Sequence, residues 1–386
     1  MEKIESKERR IYFDWAASSP YRITSALADV PFGNPSSQHS EGRAAKLALE
    51  DARERCAAVL KVPPETLYFT SGGTESNAIA LFSNLTRPGK GRVISSFAEH
   101  SSVREGMETL EKMGKPTGRV AVNSAGSVTA ETLTKALEKN GDVRFAAIMS
   151  VNNETGAVTD ITSLTNLIHK KTGDGAPIHF HCDLVQAVGK IPVDISSMEI
   201  DSASISAHKI SGPRGIGLLY LKKPLGVFYT GGGQEKGIRG GTENTVGAVA
   251  LAECLEKYAG ETVQAEYISA KSRWKKLIIE LSKIERFRII PRERTAEDDR
   301  FSPYILQAAF KDIPGEVMAR ALNDLGFAVS TGSACSSSSP ERPVLAAMGI
   351  EENLRIEGIR ISQGWSTTDE EIDLLICAIA EVLKFL

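Results

Sequence analysis

Short apolar runs and segments of helical period alternate through the first two thirds of the chain. From about residue 40 onward, "EGRAAKLALEDARERCAAVL" has helical period, and "TLYFT", "RVISS", "FAAIMS", "IHFHCD", "SASISA" and "GIGLLYL" are short apolar runs set between such segments. Parallel strands need a crossover between neighbours, so this order predicts a mostly parallel sheet covered by helices on both faces. In such sheets ligands bind beyond the carboxyl ends of the strands, which makes the polar residues that follow the apolar runs the functional candidates.

A chain of 386 residues exceeds the usual size of one hydrophobic core. A long helical pattern, "TVGAVALAECLEKYAGETVQAEYISAKSRWKKLIIELSK", leads out of the alternating region. Strand-like "PYILQAAF", a helix from Gly315 to Leu325, "GIRISQG" and an amphipathic final helix ending at Leu386 follow. We expect a large domain over residues 15–255 and a smaller α+β domain over 256–386, joined by residues 1–14.

The balance of 46 basic against 49 acidic residues, with no one-signed block, argues against nucleic acid or a membrane surface as partner. The N-terminal "MEKIESKERR" lacks the apolar core of a signal peptide, and no apolar run approaches 18 residues, so a cytoplasmic location is expected. The five cysteines are widely spaced without a C-x-x-C pair, as suits a reducing compartment. Cys56, Cys182, Cys254 and Cys377 lie in apolar-periodic surroundings and are expected inside helices or strands. Cys335 is different: it sits in "STGSACSSSS", where nothing is large enough to bury it.

Three further stretches carry chemistry. "TLYFTSGGTESNAIAL" reads as strand, turn and helix, with Gly73 and Thr74 at a helix start whose free N–H groups can cradle a phosphate or carboxylate. It lacks the lysine of a nucleotide P-loop, and an ordinary capped helix is the plain alternative. "IHFHCDLVQAVGK" places His179, His181 and Asp183 on one strand face, which raises a metal site. Residues two apart on a strand are separated by roughly 6.5 Å, so three in a row diverge from a single ion. A carboxylate at the strand end, such as Asp183, suits a cationic ring nitrogen, although a helix-capping aspartate is also open. "SASISAHKISGPRGIGLLYL" sets Lys209 between two apolar runs beside Ser206 and His208, where a partly desolvated amine can form a Schiff base and carry a proton. His100, Asn153, Thr242 and Arg360 occupy strand ends or loops, each weak evidence alone. An amine, a carboxylate, a phosphate cradle and a ring-stacking candidate together fit pyridoxal 5'-phosphate better than any other cofactor.

These motifs, with "YFDWAASSP", "GNPSSQHSEGRAAKLALEDAR", "AEHSSV", "VNNETG", "GGGQEKGIRGGTEN" and "GIRISQG", occur in an order that resembles the cysteine desulfurases of the NifS/IscS type. These are pyridoxal-phosphate enzymes of the class V aminotransferase family. The resemblance implies fold type I, with a seven-stranded, mainly parallel sheet and a smaller C-terminal domain carrying the cysteine loop. It implies that Lys209 binds the cofactor aldehyde, Asp183 pairs with the ring nitrogen, Gln186 bonds the phenolic oxygen and His100 stacks on the ring. Asn153 is implied beside ring and substrate. Gly73, Thr74, Ser206 and His208 are implied at the phosphate, with Thr242 coming from the second subunit of a homodimer. Arg360 is implied to grip the carboxylate of L-cysteine, and Cys335 to be the nucleophile that takes the sulfur as a persulfide. A sulfur-acceptor protein for iron–sulfur clusters, thio-cofactors or tRNA follows as a partner. A selenocysteine lyase or another class V enzyme is the alternative.

Three departures from the family pattern stand out. The segment from Asp14 to "GNPSS" is short, and Ser150 and Ser211 stand where many members have a histidine and an aromatic residue. The sequence also reaches Leu386 without the long tail of housekeeping members.

Overall fold

The computed structural model describes residues 10–22, 27–87, 89, 91–172, 177–332 and 342–386. Its strands are β1 (Ile11–Tyr12), β2 (Leu67–Thr70), β3 (Arg92–Ser96), β4 (Thr117–Val120), β5 (Val143–Met149), β6 (His179–Asp183), β7 (Ser202–Ser206) and β8 (Gly217–Leu221), then β9 (Phe287–Ile290), β10 (Ile305–Phe310), β11 (Phe327–Ala328) and β12 (Gly358–Ser362). The helices that matter to the site are α1 (Ser40–Leu60), α2 (Gly73–Thr86), α3 (Ser101–Lys112) and α4 (Ala130–Asn140).

Seven strands form one sheet in the order β2-β8-β7-β6-β5-β3-β4. β8 is antiparallel to both its neighbours, β2 and β7, and the remaining pairs are parallel. All strands but β8 therefore end on one edge of the sheet, where the crossover connections leave polar turns. The sheet is buried on both faces, and alternate residues of β5 enter opposite cores: Ala146 and Ile148 on one side, Phe145 and Ala147 on the other. The edge strand β4, "TGRV", is too polar to have been read as a strand.

Three antiparallel strands in the order β12-β10-β9 form a second sheet. Its core joins Phe287, Leu306, Phe310 and Ile361 to Ile11 and Phe13 from the start of the chain. β1 pairs in parallel with β11, which brings the chain's first described residues beside its last third. The long helical pattern is two helices, α5 (Thr245–Ala259) and α6 (Val263–Leu281), broken where Gly260 follows the first. Cys56, Cys182 and Cys254 are buried as expected, but Cys377 is exposed. In the last helix, Asp369–Val382, the buried stripe is Ile372, Leu375 and Ile379, and the helical period turns position 377 outward. No described helix is long and apolar enough to cross a membrane.

Candidate active site

One cavity of about 240 Å³ opens at the shared strand edge. It is lined by Gly73, Thr74, His100, Asn153, Asp183, Gln186, Ser206, His208, Lys209 and Arg360, together with Ala16, Ala17, Asn77, Ser102, Met149 and Val185. Most of these residues follow a strand of the seven-stranded sheet whose end lies on that edge, while Ala16 and Ala17 come from the segment after β1 and Arg360 from β12 of the smaller sheet.

β2 turns at Gly72 into α2. Gly72 has φ +150°, which disfavours a side chain, and α2 opens at Gly73 rather than Thr74. A Cβ on Gly73 would lie 2.6 Å from Val185 Cγ2, so only glycine lets the first turn of α2 close against the end of β6. This leaves α2 with its free N–H groups facing a cavity edge that Ser206 and His208 also line. Burial pulls the His208 imidazole down to about 3, with Lys209 adding to the effect, so at neutral pH the ring is an uncharged partner.

Asp183 ends β6. Its Oδ1 accepts from the Val185 N–H at 3.0 Å and its Oδ2 from Asn77 Nδ2 at 2.8 Å. His100 caps α3: its Nδ1 takes the Ser102 N–H at 3.2 Å and lies 2.9 Å from Ser102 Oγ. With Nδ1 accepting, the Nε2 proton is left for the cavity. Burial lowers the His100 pKa, opposed in part by the Asp183 charge.

Lys209 follows β7 in a single turn of 3-10 helix. Its Nζ donates to the carbonyl of Ala16 and to that of Ala17, the latter at 2.8 Å. Gln186 Nε2 donates to the same Ala16 oxygen at 2.9 Å. The N-terminal segment thus forms one wall of the cavity.

Arg360 is fully buried on β12. It donates through Nη1 to the Asn153 carbonyl at 2.8 Å and through Nη2 to Asp14 Oδ1 at 2.9 Å. Its Nε and the Asn153 Oδ1 are buried without a partner, so both can still serve a ligand. The neighbouring Asn152 is spent on the fold, its Oδ1 accepting from the N–H groups of Glu154 and Thr155.

Asp14, Ala16, Ala17, Asn77 and Ser102 were not singled out from the sequence. Asn77 had a signal, since it follows Gly73 and Thr74 by four and three residues and so shares their helix face. The alanines act through backbone carbonyls, which no residue type announces.

Thr242 is exposed and does not line the cavity of the single chain. Cys335 lies outside the described residues. Ser202 bridges His179 and His181, and Asn77 bridges His181 and Asp183, so these side chains are engaged with one another through hydrogen bonds, and no group of three metal-ligating side chains placed to share an ion occurs among the described residues.

The family model "Aminotransferase class-V" matches residues 11–375. The chain is 34% identical over 395 residues to the cysteine desulfurase IscS of Dictyoglomus turgidum, covering 98% of this chain and 95% of that one. The chain belongs to the cysteine desulfurases of the class V aminotransferases. Among solved structures, a NifS-like protein superposes with a TM-score of 0.87 at 33% identity, covering 98% of this chain and all of the other. A structure described as SspA in complex with cysteine superposes at 0.74 with 30% identity, covering 91% and 98%. The seven-stranded sheet and its smaller companion are thus the fold of this pyridoxal-phosphate family.

The cavity fits that cofactor on its own chemistry. It offers a glycine-built helix start for a phosphate, a carboxylate and an amine, with unpartnered buried Arg360 Nε and Asn153 Oδ1 left for a substrate.

Proposed function

We propose that the protein is a pyridoxal-phosphate-dependent cysteine desulfurase that converts L-cysteine to L-alanine and takes the sulfur on Cys335 as a persulfide. The observation that carries this reading is the convergence of Lys209, Asp183 and Arg360 on one cavity, in a chain of this family. When bound, the cofactor supplies an aldehyde for the substrate amine and a conjugated cationic ring that accepts the electron pair left at Cα.

Gly73, Thr74, Ser206 and His208 would hold the phosphate, Asp183 the ring nitrogen, Gln186 the phenolic oxygen and His100 one ring face. Arg360 orients the substrate by its carboxylate, which a guanidinium can meet with two parallel bonds. Asn153 lies beside the substrate. Lys209 Nζ would take the Cα proton and carry it within reach of its own swing. Cys335 as thiolate attacks the substrate sulfur: an S–S bond forms as the Cβ–S bond breaks, and the departing pair stays on carbon. Cysteine and an enzyme thiol thus give alanine and an enzyme persulfide, with no outside oxidant needed.

The sulfur then passes to an acceptor protein, for iron–sulfur cluster, thio-cofactor or tRNA biosynthesis. We read the working form as a homodimer in which Thr242 of one subunit reaches the phosphate of the other. Exposed Phe228 and Tyr229, which precede the glycine-rich loop carrying Thr242, support a subunit face there. The three buried, unpaired thiols support a reducing compartment, for which the cytoplasm is our reading.

The test is incubation with L-cysteine and dithiothreitol, measuring alanine and sulfide together. Equal amounts of both are expected. Neither product from a cofactor-loaded protein would overturn the proposal.

A further inference from the structure

Behind Asp183 a line of polar side chains, half-buried at Arg87 and His179 and buried from Ser202 onward, crosses the sheet face. Arg87 Nη2 lies 3.4 Å from His179 Nδ1, and His179 Nε2 lies 2.7 Å from Ser202 Oγ. Ser202 Oγ is 2.8 Å from His181 Nδ1, and His181 Nε2 is 2.9 Å from Asn77 Oδ1, with Ser204 Oγ a second neighbour at 3.3 Å. Asn77 Nδ2 then donates to Asp183 Oδ2 at 2.8 Å.

The two ends fix the direction of every bond between them. Arg87 can only donate, and Asp183 as a carboxylate can only accept. His179 Nδ1 is therefore an acceptor and its Nε2 a donor, Ser202 gives its proton to His181 Nδ1, and His181 Nε2–H points at Asn77 Oδ1. This leaves both Asn77 Nδ2 hydrogens facing forward: one to Asp183, the other to Ser102 Oγ at 2.9 Å, which in turn lies beside His100 Nδ1.

Both histidines must stay neutral for this order to hold. Burial takes His179 down to about 2 and His181 to about 3, and the Phe145 ring stacks on both, 5.0 Å from His179 and 6.2 Å from His181. Hydrogen bonds that all point one way polarise each other, and in a dry setting the sum falls on the terminal acceptor.

We propose that Asn77 is a positioning residue for the cofactor, the hub of a one-directional chain from Arg87 through His179, Ser202 and His181. Through it the chain holds the Asp183 carboxylate, and through Ser102 the His100 ring, in the orientation the pyridine ring requires. The proposal rests on the reading of the cavity as a pyridoxal-phosphate site. The same line gives the two histidines of β6 a role as hydrogen-bond relays. The Asn77 amide and the Val185 N–H behind Asp183 fix its two oxygens, so the carboxylate is presented in one orientation to a ring nitrogen.

The test compares full-length wild type with Asn77→Leu and Ser202→Ala. Ser202→Ala cuts the chain between the two histidines without touching Asp183, His100 or the cofactor. Three quantities are read: the dissociation constant of pyridoxal 5'-phosphate for the apo protein, the pH midpoint of the visible cofactor band, and the melting temperature of the apo protein. Asn77→Leu is expected to weaken cofactor binding about tenfold, the lower end of what an outer-shell partner contributes at a bound group. The band midpoint is expected to rise, because a less cationic ring leaves the lysine-derived nitrogen holding its proton more tightly. Ser202→Ala is expected to move both quantities the same way by a smaller amount. Wild-type affinity and midpoint in Ser202→Ala overturn the chain, and Ser202→Ala decides alone if Asn77→Leu fails to fold. A change in apo melting temperature alone, with the other two readings unmoved, assigns these residues to stability only and also overturns the proposal. A wild-type protein that takes up no pyridoxal phosphate is a different result, which sinks the cofactor reading itself.

Discussion

Lys190 is buried directly behind Gln186 and donates through Nζ to Gln186 Oε1. The Gln186 amide is thereby fixed at both ends, since its Nε2 donates to the Ala16 carbonyl. Burial holds the Lys190 pKa well below its ordinary value, but ammonium and amine alike can donate here. The arrangement turns the remaining Nε2 hydrogen of Gln186 toward the cavity, as a phenolic oxygen needs.

Replacing Lys190 by methionine keeps the apolar stem and removes that donor. Pyridoxal phosphate affinity is expected to fall about tenfold, the loss of roughly one oriented hydrogen bond. Equilibrium titration of the apo protein measures it, and unchanged affinity would show that Gln186 needs no support.

Lys209→Ala removes the amine proposed to meet the cofactor aldehyde and to take the Cα proton. Alanine formation is expected to drop by at least about 10³-fold, with the colour of the purified protein altered or lost. An absorbance spectrum and a single-turnover alanine assay are sufficient.

On the proposed mechanism, Cys335→Ser separates the cofactor chemistry from sulfur capture. The visible band should persist while sulfide release from L-cysteine under reductant disappears. Retained sulfide release would point to another class V enzyme, and survival of selenocysteine cleavage alone would point to a lyase.

Arg360→Lys keeps a charge but gives up the paired, planar donors. The buried guanidinium also ties Asn153 to Asp14, so the change should raise KM for L-cysteine by roughly 10- to 100-fold, in line with about 1.5–3 kcal/mol for a charged hydrogen bond. KM measured at saturating cofactor is the check. A KM within twofold of wild type would remove Arg360 from the substrate site.

Glu99 gives a pH dependence. It is wholly buried, one oxygen accepting from Ser96 Oγ and the Met149 N–H and the other unpartnered, and burial raises its carboxyl to about 8. The folded protein therefore holds a proton that the unfolded chain releases near the ordinary carboxyl value. This contribution to stability is present at low pH and is lost as pH rises from the ordinary glutamate range to about 8. Glu99→Gln mimics the protonated form and should be more stable than wild type at pH 8 by about 1–3 kcal/mol, with little difference at pH 5. Denaturant melts at the two pH values decide it.

The sheet was legible because its strands are apolar on both faces and bounded by turn residues, a pattern carried by each short segment alone. β4 was missed for the converse reason, since an edge strand reading "TGRV" has only one neighbour and little to bury. The outward turn of Cys377 depended on helix phase rather than on how apolar its neighbours are.

The sequence by itself determined the strand ends and their polar followers, and with them Asp183, Lys209 and the glycine-built start of α2. These depend on local period and turn chemistry. Tertiary structure alone decided which distant groups complete the site: the Ala16 and Ala17 carbonyls against Lys209, Asp14 against Arg360, and Asn77 between Asp183 and His181. Such pairings lie about 100 to 350 residues apart and follow from strand order and crossover packing, which no local period encodes.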